Sequence, residues 1–99
     1  MPKFIAVHSM AKDTLERLAK TPKEQLGQDA NVTKILKHCG YEASFVRQSV
    51  VPALGKMFCE WNAKDEQSIR KVLVENYREL PIDVIAEIRI IDAEDYRPK

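Results

Sequence analysis

Several side chains in this sequence are of types that can do chemistry. His8 could bind a metal or move a proton, because imidazole titrates near neutral pH. Glu60 is the carboxylate that could share proton transfer with it, so His8 and Glu60 are the candidate catalytic residues. Arg47, Tyr77, Glu87 and Arg89 are candidates for a polar cleft, with an arginine holding an anion and the tyrosine hydroxyl donating. Cys59 would act as a nucleophile or ligand only if a cation or metal lowered its thiol pKa. Each has a plainer reading as well. His8 can be a hydrogen-bonded strand-end residue, Cys59 a small buried neighbour of Met57 and Trp61, and Arg47 with Glu87 part of a salt-bridge seam. His38 reads as a helix-end residue, and Cys39 has no metal-binding spacing toward Cys59.

The elements that would position these groups follow from periodicity. KFIAVHS, residues 3–9, reads as a first strand with Phe4, Ala6 and His8 on one face and Ile5 on the other. Asp13 with Glu16, and Thr21-Pro22-Lys23-Glu24, are helix-start signals. They predict a short helix, a break near Thr21 and a longer helix carrying Leu26, Ala30, Thr33 and Leu36 on one side. Gly27 and Asp29-Ala30-Asn31 interrupt that second helix, and Gly40 is expected to close it in the left-handed conformation. Residues 44–51 and 56–62 read as the second and third strands, joined by a Pro52–Gly55 hairpin loop. Asp65 is the expected cap of a helix burying Ile69, Val72, Leu73 and Tyr77, which Pro81 stops. Residues 84–91 read as the fourth strand, with Val84, Ala86, Ile88 and Ile90 opposite Ile85, Glu87 and Arg89.

The order β-α-β-β-α-β predicts an α+β, ferredoxin-like sandwich: a four-stranded antiparallel sheet with two helices on one face. It spans residues 1–99 as a single domain, with an enlarged first crossover at about 10–43 and a polar tail at 92–99. Apolar residues on both faces of the strands imply that a second copy covers the face the helices leave bare, making a homodimer. Cys59 and Glu60 must point to opposite faces, so one straight strand cannot offer both to one ligand.

Composition narrows the partners. Lys+Arg number 16 against 15 Asp+Glu, giving a net charge of +1, and basic residues do not cluster with aromatics, which argues against nucleic acid. No apolar run reaches membrane-spanning length or resembles a secretory segment, so a cytoplasmic protein with two free thiols is expected. A phosphate loop, a paired-cysteine zinc motif, a nucleophile elbow and a dinucleotide fingerprint are all missing.

Two segments carry a resemblance. MPKFIAVHSM is similar to an opening of the form Met-Pro-x-Phe-x-x-x-His-x-Met, and GKMFCEWNAKD to Gly-Lys-x-Phe-Cys followed by Ala-x-Asp. Both resemble small ferredoxin-like domains of unknown function related to nickel-responsive, nickel-binding proteins. The resemblance runs over about residues 1–10 and 44–88. It implies a dimer, and His8 and Cys59 as metal-associated residues for nickel or another transition metal. Tyr77, in VENYREL, stands where that group's pattern has a second histidine, and the segment between His8 and Ser44 is longer than the pattern.

The reading that combines these signals is a dimeric domain that binds a small molecule or a metal. Its alternatives are a small enzyme of the dimeric α+β barrel type, isomerase- or oxygenase-like, and a purely structural or regulatory interaction protein.

Overall fold

The computed structural model describes residues 1–28 and 35–98. Its strands are β1 (Lys3–Ser9), β2 (Ala43–Val51), β3 (Lys56–Ala63) and β4 (Val84–Ile88). The helices are α1 (Lys12–Lys20), α2 (Lys23–Leu26) and α3 (Glu66–Asn76). The sheet order is β2-β3-β1-β4 with every neighbouring pair antiparallel, which is the expected ferredoxin-like arrangement. The expected stretch of the long crossover helix around Ala30 and Thr33 lies outside the described residues.

Local chemistry explains most boundaries. Thr21 ends α1: its hydroxyl donates to the Arg17 carbonyl at 2.7 Å and its N–H to Leu18. Asp65 caps α3, its Oδ1 accepting from the Ser68 N–H at 2.9 Å and the Ser68 hydroxyl at 2.8 Å. These two bonds hold the Asp65 carboxyl below the usual range, side chain first. The α1 start differs from expectation: Ala11 is the cap and Asp13 lies in the first turn, where its charge still favours the helix dipole.

The left-handed glycine is Gly55, not Gly40. Gly55, at φ 64°, closes the turn Pro52–Leu54 between β2 and β3. Gly40 instead lies just before β2, donating its N–H to the Ala43 carbonyl at 3.0 Å beside a Cys39–Ser44 bridge. A Cβ at Gly40 would lie 3.3 Å from both the Ala43 carbonyl and the His38 ring, so glycine serves close approach there.

β4 is shorter than expected. Ile88 pairs with Lys3, the first residue of β1, and no described β1 residue continues the ladder beyond it. Ile90 and Ile91 are left exposed.

The core fills the helix-covered face of the sheet. Phe4, Ala6 and His8 of β1 meet Met57, Cys59, Trp61 and Ala63 of β3, and Leu15, Ile69, Val72 and Leu73 pack down from α1 and α3. Trp61 is the largest fully buried side chain, with Phe45 edge-on to it at 5.1 Å. The opposite face carries Ile5, Val7, Phe58, Val84, Ala86 and Ile88 at partial or full exposure, and no helix among the described residues covers it. No helix of the described residues is long and apolar enough to cross a membrane.

Candidate ligand-binding site

Alternation on β3 sends Cys59 up under the helices and Glu60 to the bare face, as expected. Above Cys59 the packing leaves a cavity of about 80 Å³. Met57 and Cys59 supply part of its wall from β3, and Phe45 and Gln48 from β2. Met10 closes one side from the turn after β1, where its N–H is fixed by the Gly55 carbonyl at 3.1 Å. Leu18 of α1, Leu73 of α3 and, just past α3, Tyr77 and Leu80 complete the ring together with Ile35 and Leu36. No described lining residue is charged. A cavity of about 150 Å³ admits benzene and one water needs about 10–15 Å³, so this one has room for a few heavy atoms.

The Cys59 thiol is 3% exposed, and burial pushes its pKa up to about 11, opposed by the Gln48 amide 3.8 Å away. It is a neutral thiol at physiological pH. An incoming cation would have to displace the proton.

His8 lies on the same face, in register with Met57, while Cys59 pairs with Ala6. The ring is fully buried. Its Nδ1 is 2.7 Å from the Pro81 carbonyl, which can only accept, so Nδ1 carries the proton and donates. Nε2 then holds a lone pair with no protein partner. Burial lowers the ring's pKa from its ordinary 6.5, against smaller opposing effects of the Pro81 carbonyl and the Asp83 charge. The result is a neutral imidazole oriented by a backbone carbonyl, as in many metal-ligating histidines.

The remaining candidates do not gather here. Glu60 pairs with Arg47 at 3.3 Å on the bare face, across the sheet from His8, so the expected acid–base pair is not assembled. Arg47 reaches that face because β2 bulges between Phe45 and Arg47, which brings it opposite Glu60. Glu87 does not join them. It pairs with Phe4, a helix-face residue, and sits exposed on the edge strand. Arg89 lies beyond β4, exposed, and Tyr77 belongs to the cavity. The cleft expected from Arg47, Tyr77, Glu87 and Arg89 is therefore not assembled: Arg47 is on the bare face, Tyr77 lines the cavity, and Glu87 and Arg89 lie on and just past the edge strand.

A third cluster was not anticipated. Lys56 Nζ contacts Asp83 at 2.7 Å and donates to the Ser9 hydroxyl at 2.5 Å, while Ser9 donates to the same carboxylate oxygen at 2.5 Å. The Lys56 and Ser9 bonds, in that order, hold the Asp83 carboxyl below its usual range. With its carboxylate satisfied and its lysine ion-paired, the trio clasps the ends of β1 and β3 to the start of β4.

Strand alternation in the sequence put His8, Met57 and Cys59 on one face, as the structure does, but missed Met10, Leu18 and Leu80. These come from a turn, a helix and a loop, where no strand periodicity signals a shared cavity.

Comparison with known proteins agrees with this architecture. No curated protein matches the chain. The crystal structure of SCO4226 from Streptomyces coelicolor A3(2) is similar at a TM-score of 0.55 and 18% identity, covering 91% of this chain and 99% of that one. At that identity the likeness concerns the fold. A family model matches residues 4–88, and the chain belongs to the family it describes, nickel responsive protein SCO4226-like.

Proposed function

We propose that this chain is a ligand-binding domain that takes a small apolar or soft ligand into the cavity over Cys59 and works as a homodimer. The observation that carries the reading is the cavity itself: an uncharged space of about 80 Å³ beside a buried thiol. Its size suits a small ligand or the end of a larger one, well below the roughly 300 Å³ at which drug-sized pockets begin. What supports the dimer is the bare sheet face, where Ile5, Val7, Phe58 and Ile88 are partly exposed and Val84 is 46% exposed. A second copy, carrying the same apolar centre and the same rim of ion pairs, can cover it about a two-fold axis.

The family's description draws attention to nickel. The donors present do not fit a nickel centre. His8 and Cys59 share a face, but no group of three His, Cys, Asp or Glu side chains that could hold a metal forms among the described residues. Tyr77, which lines the cavity, is a poor substitute for imidazole. A dication beside one thiolate would also leave positive charge uncompensated in an uncharged cavity.

Xenon titration followed at the methyl groups tests the ligand reading. Saturable shifts at Leu18, Met57, Leu73 and Leu80 are expected, with Ile5 and Val7 unmoved. A spectrum without shifts at the lining methyls rejects it.

A further inference from the structure

Two of the three methionines in the chain, and one of its two cysteines, line the same small cavity. Met57 and Cys59 are two apart on β3 and project to one face, 5% and 3% exposed. Met10 meets them from the turn after β1. Thioether and thiolate sulfur are soft donors that select Cu(I) over harder ions. Across the β1–β3 ladder from Met57 stands His8, fully buried, with its unpartnered Nε2 lone pair. A neutral nitrogen thus occupies the neighbouring position on the same face.

Charge decides which soft ion fits. No described side chain lining the cavity carries charge, and the single ionisable sulfur can supply one negative charge. A monovalent ion with one thiolate is neutral overall; a divalent ion is not, and residual buried charge is strongly unfavourable. We propose that the cavity is a binding site for a soft monovalent metal ion of the Cu(I) or Ag(I) class, held by Cys59, Met57 and Met10. In the binding step the Cys59 S–H bond breaks, a sulfur–metal bond forms and one proton leaves to solvent, with no change of oxidation state. This inference rests on the reading of the cavity as a ligand site.

Silver(I), which needs no reductant, is the probe, used with the Cys39→Ser protein because Cys39 is exposed. The expected result is one Ag(I) per chain, one proton released per ion, and shifts of the Met10 and Met57 methyl signals while that of exposed Met1 stays in place. Cys59→Ser should lose the uptake. Met57→Leu, which keeps volume and should fold normally, should weaken it. Uptake that persists in Cys59→Ser, or leaves the Met10 and Met57 methyls unmoved, overturns the proposal. Xenon binding without Ag(I) binding overturns the metal inference alone; loss of both overturns the ligand reading too.

Discussion

The two faces of this sheet use similar side chains for different ends. Under the helices, Phe4, Met57, Cys59 and Trp61 are almost wholly buried, and the polar groups among them are neutral: an oriented imidazole, an indole and a protonated thiol. On the bare face, Ile5, Val7 and Phe58 stay partly exposed, and the polar groups are charged pairs at the margin, Arg47 with Glu60 and Lys56 with Asp83. Burial therefore keeps the groups under the helices neutral and leaves the charged pairs at the exposed margin. The proposed ligand binding in the cavity and the proposed association through the bare face can then be altered separately.

The largest test of that separation is Trp61→Ala. Removing the most deeply buried large side chain should cost about 3–5 kcal/mol of unfolding free energy in urea. A much smaller loss would mean that this face is not the core.

On the other side, Phe58→Glu should convert a dimer to a monomer in sedimentation while leaving the xenon response of the cavity in place. A wild-type protein that sediments as a monomer at high concentration removes the assigned role of the bare face. Loss of cavity binding in a folded Phe58→Glu monomer would instead show that the two faces are coupled.

A smaller effect is expected from pH. The buried His8 ring has a lowered pKa, so the unfolded chain takes up the proton first as pH falls through about 6.5. Stability should fall with pH below that value and level off only beneath the folded-state pKa. Urea unfolding in a pH series measures it, and His8→Gln should flatten the slope. An unchanged slope in that variant would place the sensitivity elsewhere.

The smallest effect belongs to the rim. Arg47 is 68% exposed at its side chain, so Arg47→Ala should change stability by less than about 1 kcal/mol and be masked by salt. A larger, salt-resistant loss would mean that the pair is covered, as a tight dimer seam would cover it.

Much of this contrast was legible in the residues. Phe4-Ala6-His8 against Ile5, and Met57-Cys59-Trp61 against Phe58-Glu60, assign the faces by alternation alone, and Asp65 announces the helix that roofs the site. The failures have structural causes. Arg47 meets Glu60 rather than Glu87, because the bulge between Phe45 and Arg47 sets it opposite Glu60 on the bare face. Glu87 fails to join Arg47 because the register of β4 on β1, set by long-range pairing that no local pattern records, puts it opposite Phe4. The Gly40 assignment failed because a bridge to the next strand decides its conformation. The cavity was invisible for the same reason, since its walls come from six separate parts of the chain.

The most direct test of the account is a crystal structure under xenon pressure. The account predicts a xenon atom against Cys59 and Met57, roofed by Leu73 and Tyr77, with the sheet face around Phe58 occupied by a second copy of the chain. Xenon absent from that cavity, or seated on an open Phe58 face, would contradict it.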